Sequence, residues 1–464
     1  MVDKPLFRFI KLELDMSRLT IALCFFCVAL LTFVANSDAQ DWNQWRGSTG
    51  NGGSVDAIPP TKWSDTENVK WKVAIPGRGS GSPIISGNKV FVVSGVLTEQ
   101  GAKDAKAKAQ QPQEQSRGGN GGRRRRGRSI PLVEMDFKIF CFDRSSGETL
   151  WEQTAITATP HQGTHSTNGF ASASPCTDGQ HVYASFGSRG LYCYTMDGDL
   201  VWKRNDFGQM DTRNSFGEGS SPLLFEDKLI LPWDHEGASL IYALNKQTGE
   251  TIWKTDRNEP TNWGTPIVVS NGGQKQVVIT GQSKVRAYDL ESGKELWSCG
   301  GQTERPCATP VAIDDLVIVG SGHRGSYMGA FKLDGTGDIA GSDKVAWSIS
   351  KDTPDIASPL LTSGRLYYHK GKTGILSCLD AKTGESVFSA TRVPGIRSTY
   401  ASPIAAGGHI YLTGRSGTTV VIKDAEKFEV VASNSVGETV DATPAPAGAN
   451  LFIRGEKHLF CIGG

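Results

Sequence analysis

Beyond residue 40 this 464-residue chain has no long amphipathic helical pattern, which argues against a helical bundle or a sheet wrapped by long helices. It has no excess of either charge. A formal net charge of +1 with 21% charged residues gives no support to a nucleic-acid binder or a disordered chain. Beyond residue 39 no CxxC spacing occurs, so no zinc-ribbon ligand set is on offer there. Adjacent cysteines are absent as well. What is plentiful is glycine, at 55 residues, and tryptophan, at 11. Glycine-rich turns between β-branched and aromatic runs point to an all-β protein.

The N-terminus stands apart. "MSRLTIALCFFCVALLTFVANSDAQ" has a basic Arg18, an apolar run from Leu19 to Ala35, and small residues Ser37 and Ala39 before a cut. This reads as a secretory signal peptide over residues 1–39, with the mature domain at 40–464. The preceding "MVDKPLFRFIKLELD" suggests that translation starts at Met16. The apolar run is short for a membrane span, an uncleaved anchor being the alternative. Cys24 follows Leu23, where a lipobox needs a small residue. A periplasmic or secreted monomer with no transmembrane span after cleavage is expected.

Five stretches are near-copies: "IFCFDRSSGETLW" ending at Trp151, "LYCYTMDGDLVW" at Trp202, "IYALNKQTGETIW" at Trp253, "RAYDLESGKELW" at Trp297 and "LSCLDAKTGESVF" at Phe388. Each is a strand, a polar turn and a second strand. A second landmark is a Ser/Thr-Pro step opening an apolar strand, at Pro83, Pro175, Pro222, Pro266, Pro310, Pro359, Pro403 and Pro444. From Pro175 onward the spacing stays between 41 and 49 residues, the period of propeller blades. Proline lacks an N–H and suits the innermost strand, whose edge faces the channel. The tryptophans at Trp71, Trp151, Trp202, Trp253, Trp297 and Trp347, with Phe388 and Val430 as substitutes, mark outer strands. The last copy lacks an outer strand, and the chain begins with one, "NVKWKVAIPG". Joining the two closes an eight-bladed β-propeller of four-stranded antiparallel blades.

Cys141, Cys193, Cys378 and Cys461 share one repeat position with Ala243 and Ala287, which marks them as small core residues. Cys299 and Cys307 are a candidate disulfide. Residues 97–135 interrupt the first blade with a basic, low-complexity stretch, read as a disordered loop. Its Arg123, Arg124, Arg125, Arg126 and Arg128 could tether a polyanion.

The repeat "AxDxxTGxxxW" resembles that of pyrroloquinoline quinone (PQQ) enzymes, and residues 42–464 resemble the secreted PQQ-like propellers grouped with the outer-membrane assembly factor BamB. The two resemblances imply different chemistry. A quinoprotein dehydrogenase would carry PQQ with calcium, held by a Glu and an Asn. Glu218 and Asn262, with Trp263 as a stacking surface, are the residues on which that reading would fall. The BamB group implies a binding platform for protein.

The loops expected on one face carry further candidates. His161 and His165, with Asp234 or His235, form a weak metal set, and Asp234, His235 and Glu236 are the best residues for a hydrolase or lyase. Arg213, Arg305, Arg324, Arg397 and Arg415 come from five blades and would form a basic funnel, with Trp263 and Tyr400 beside them. The leading expectation is an exported, non-catalytic scaffold for a protein or an anionic polymer, without cofactor, metal or nucleic acid. A PQQ-dependent dehydrogenase and a secreted hydrolase or lyase are the alternatives.

Overall fold

The computed structural model describes residue 1 and residues 41–64, 66–110 and 132–464. The chain divides into Met1–Ala39 and Gln40–Gly464, and only the second is described below. The leader reading, and the arginines from Arg123 to Arg128, lie outside the described residues.

Eight blades of four antiparallel strands form a ring, an eight-bladed β-propeller, and two of the blades gain a short parallel strand, Gly53–Ser54 and Gly337–Asp338. Blades are numbered by their opening prolines, from Pro83 to Pro444. Blade 3 is representative: Leu223–Phe225 lies innermost, followed outward by Lys228–Trp233, Leu240–Asn245 and Thr251–Asp256. The second and third strands are almost wholly buried, and the outer strand is half open. Apolar clusters therefore sit between blades: Phe91 and Val93 of blade 1 pack with Val182 and Tyr192 of blade 2. Among the described residues no helix is long and apolar enough to cross a membrane.

The repeat residues have local causes. In the turn after the third strand, Asp143 accepts bonds from the amides of Ser145 and Ser146 and from the Ser145 hydroxyl. Those bonds pull its pKa down to about 2. Asn245 and Asp380 bond their turns in the same way. The glycine that follows is required twice over. Gly249 has φ of 73°, and a Cβ there would lie 2.7 Å from the Trp202 ring of the preceding blade. The Trp202 indole donates to the Lys246 carbonyl, at 3.0 Å, on that same turn. Trp71, Trp151, Trp253 and Trp347 repeat the contact around the ring. Opposite the aromatic stands the small residue: Cys141 pairs with Trp151, Cys193 with Trp202, Ala243 with Trp253 and Cys378 with Phe388. These cysteines are buried and free, as expected.

The Ser/Thr of each Ser/Thr-Pro step has a role that the sequence reading did not reach. Each amide there faces the channel and needs a partner. Ser82 N–H donates to the Ser174 hydroxyl of the next blade, Ser174 to Ser221, and Ser221 to Thr265. Thr309 donates to Ser358, Ser358 to Ser402, and Ser402 to Thr443. A belt of hydroxyls thus ties neighbouring blades around the channel.

The ring closes as expected. Val69–Ala74 pairs antiparallel with His458–Ile462, with Trp71 opposite Cys461. The residues before it form a plug that the sequence reading did not foresee. Trp42 exchanges backbone bonds with Ile85 of blade 1. Asn43 O, the Gln44 amide oxygen and Asn51 then accept amides from Thr177, Leu224 and Ala312 of blades 2, 3 and 5. Asn51 O takes Leu361 of blade 6, and Gly52 O takes Ala405 of blade 7. Arg46, 1% exposed, donates to the Pro359 and Pro403 carbonyls. Burial without a carboxylate lowers its pKa to about 9.

Two expectations are corrected. Part of the insertion is ordered: Glu99–Gln110 is a helix, entered by a Thr98 hydroxyl that accepts the Gly101 amide at 2.9 Å. Its Ala and Lys residues are good helix formers, which a reading of low complexity overlooked. Cys299 and Cys307 form no disulfide. Cys299 lies on the outer strand of blade 4, and Cys307 faces the channel.

Candidate functional site

The loops between blades, with those joining second to third strands, surround a cavity of about 260 Å³ at the channel mouth. Trp45 of the plug is part of its lining, its indole bonded to the Thr309 hydroxyl. The residue two before each Ser/Thr step lines the cavity in all eight blades. These are Ser80, Ser172, Gly219 and Trp263, then Cys307, Ile356, Tyr400 and Asp441. The extended approach to the inner strand alternates its side chains, so every second residue points inward.

Arg305 is the central cation. Its backbone is left-handed, with φ of 55°, and its guanidinium lies 5.3 Å from the centre of the Phe216 ring. No ion pair of the described residues includes it. Burial, with Arg324 and Arg213 nearby, holds its pKa below the ordinary guanidinium range. Lys372 faces the same space, 3.5 Å from the Asp355 carboxylate. His323 lies 3.9 Å from that carboxylate, and burial beside Arg305 disfavours its protonation. Burial, with Lys372 close by, lowers the His165 pKa likewise. Two lining residues each have a buried atom without a hydrogen-bond partner among the described residues, Arg305 Nε and His323 Nε2. Burial pushes the Cys307 thiol up to about 12, so it is no nucleophile near neutrality.

The five-arginine funnel does not assemble. Of the five, only Arg305 lines this cavity. Arg213 and Arg324 reach one carboxylate, Glu304, at 3.7 and 3.5 Å. Arg415 is held by both Asp441 oxygens, at 2.6 and 3.0 Å, with its guanidinium 4.3 Å from the Tyr400 ring centre. Arg397 is exposed. Its loop is bonded down onto Lys372 and Gly374, which buries Ile396 and turns Arg397 outward. Tyr400 does face the cavity, near Thr167. Trp263 is a partition between this cavity and a smaller one of about 50 Å³, its indole bonded to the Gly217 carbonyl at 2.7 Å.

Glu218 and Asn262 line the smaller pocket. Both Glu218 oxygens accept bonds from Ser188, and burial raises its pKa. Asn262 donates to Asp234 and Thr280, and its oxygen accepts Gly264 N–H and the Thr280 hydroxyl. With these oxygens engaged and no adjacent cysteines, the residues do not fit a quinone–calcium centre. The weak metal set does not converge either. His161 donates to the Met210 carbonyl, while His165 faces the larger cavity. Asp234 is buried against Arg257 at 2.7 Å. His235 accepts the Asp211 and Gly237 amides and donates to Ala238 O. Among the described residues no three His, Cys, Asp or Glu side chains are placed to hold a metal.

The residues that the sequence reading missed are Lys372, Asp355, Phe216 and Trp45. Asp355 stands three before a Ser-Pro step, as Arg305 stands four before a Thr-Pro step, so its position was legible. Lys372 stands three residues past the second strand of blade 6, Arg365–His369, in a loop of the type that opens on the channel mouth.

A family model described as outer membrane protein assembly factor BamB matches residues 61–208, 135–390 and 237–462. Tetrathionate hydrolase of Acidithiobacillus ferrooxidans is 24% identical over 368 residues, 75% of this chain and 65% of that protein. The BamB of Burkholderia pseudomallei is 28% identical over 194 residues, 39% of this chain and 45% of the relative. The chain thus spans less than two thirds of the length of either relative. Quinohemoprotein alcohol dehydrogenase from Comamonas testosteroni shares the fold, with a TM-score of 0.58 and 11% identity over 93% of this chain and 82% of that one. The chain belongs to the family described as outer membrane protein assembly factor BamB, a family of PQQ-like repeat propellers.

Proposed function

We propose that the protein is an exported, non-catalytic binding platform whose channel mouth takes an anionic group of its partner. Export rests on Arg18 and the apolar run from Leu19 to Ala35. The observation that carries the anion reading is Arg305: a half-buried guanidinium on an aromatic ring, facing a cavity, in no ion pair among the described residues. Lys372 adds a second cation, and Trp263 and Tyr400 add apolar wall. Sulfate, citrate and acidic peptides are expected to raise the melting temperature, and added salt to weaken the effect. Arg305→Gln should weaken binding about tenfold or more, the loss of one charge-assisted hydrogen bond. Its melting temperature without ligand should stay within a few degrees, roughly the effect of a surface substitution. A variant that binds as tightly as the parent would sink this reading.

One observation favours a second reading. Asp355, 8% exposed, stands on the cavity wall beside Lys372, whereas the other carboxylate of that wall, Asp441, is taken up by Arg415. A carboxylate so placed suits activating a water against an anionic substrate. Tetrathionate is the first substrate to try, given the hydrolase relative. The platform reading expects no consumption of tetrathionate. Consumption that Asp355→Asn abolishes would replace the platform by a hydrolase.

A further inference from the structure

A second cavity, of about 150 Å³, adjoins the channel mouth at the seam between blades 8 and 1. It shares Ser80, Thr167, Asn168 and Asp441 with the first cavity, so the two are neighbours along one trough. Arg454 is part of its lining. This residue ends the second strand of blade 8 and is 3% exposed. Its guanidinium donates to the Val93 carbonyl of blade 1, but among the described residues its Nε has no partner and no carboxylate pairs with it. A buried cation without an anion is costly. Burial alone lowers its pKa to about 10. The space around it is kept by Gly79, where a Cβ would lie 2.6 Å from Arg454 Nη2.

Arg78 stands beside it. Its backbone is fixed by two bonds to Gly95, at 3.0 and 2.8 Å, while its exposed side chain makes no hydrogen bond or ion pair among the described residues. Arg415 and Asp441 satisfy each other. Glu456 is the one remaining carboxylate of the pocket, so its unpaired cations outnumber its unpaired anions by one.

We propose that this pocket is a second anion subsite, and that the ligand is an extended molecule with two anionic groups. One group is held by Arg305 and Lys372, and the other by Arg78 and Arg454. This rests on the reading of the channel mouth as an anion site. A small linear dianion and two charges along an acidic oligomer offer the same chemistry.

Calorimetric titration of the mature protein at low salt separates the cases. The probes are monocarboxylates, α,ω-dicarboxylates of increasing length, and oligogalacturonates. Either a dicarboxylate of one preferred length or an oligogalacturonate should bind about tenfold or more tighter than a monocarboxylate, because the second contact is intramolecular. The better class identifies the source of the two charges. Arg78→Gln should remove that advantage and leave monocarboxylate binding and the melting temperature unchanged. Arg454→Lys, which keeps the charge but not the planar fork, should reduce the advantage in part. Equal binding of all probes, or an advantage that survives in Arg78→Gln, overturns the second subsite alone. Absence of binding by every probe, or full binding by Arg305→Gln, overturns the mouth reading and this one with it.

Discussion

Removal of residues 41–75 is expected to leave no folded protein. Two unrelated supports go at once. Blade 8 loses Val69–Ala74, so His458–Ile462 becomes a free edge and the Trp71 contact with the blade 1 turn at Arg144 disappears. The channel also loses its plug, which strips partners from inner-strand amides of blades 1, 2, 3, 5, 6 and 7. Each buried amide left without a partner costs about 1–3 kcal/mol, and a domain has only about 5–15 kcal/mol in hand. Soluble yield and a thermal melt followed by circular dichroism measure the outcome. A soluble truncated protein with the parent melting temperature would show that the ring closes without this strand.

Asp234→Ala is the second large effect. Both side chains of the Asp234–Arg257 pair are fully buried. Arg257 also bonds the Tyr288 hydroxyl and the Thr280 carbonyl, and Asp234 accepts from Asn262. Truncating the acid leaves a guanidinium charge in the interior, which costs about 3–5 kcal/mol. Urea unfolding should show the loss as a lower midpoint with an unchanged slope. Joint replacement of Asp234 by Leu and Arg257 by Met should cost less than the single change, since no charge is stranded. An unchanged midpoint for Asp234→Ala would mean that the buried pair contributes nothing to stability.

The blades were legible because each repeats the same physical needs. A proline can stand only where an amide needs no partner. A tryptophan on the outer strand demands a glycine turn beneath it and a small residue opposite, and those three recur at fixed spacing. The plug was not legible because it repeats nothing. It works mostly through backbone carbonyls and the amides of Gln44 and Asn51, which carry no pattern in sequence. The site was legible by position but not by composition. Counting arginines in the right loops treated each as free, whereas Glu304 and Asp441 take up three of the five. Arg397 failed for another reason: the fold of its loop, set by bonds to Lys372 and Gly374, decides which residue turns inward.

The seam between Val69–Ala74 and His458–Ile462 also sets an order of events in time. A chain delivered N-terminus first presents the outer strand of blade 8 before any other strand of that blade exists. Its partner, His458–Ile462, follows only after the strands of blades 1 to 7. The cost of closing so long a loop grows only slowly with length, so the finished ring loses little stability. The rate suffers instead, because pairing between strands so far apart in sequence is slow to form. Until it forms, an incomplete ring carries open strand edges, the state most exposed to misassembly with a second copy. Closure of the ring should therefore wait for His458–Ile462, and its most vulnerable interval is the one just before that strand is available.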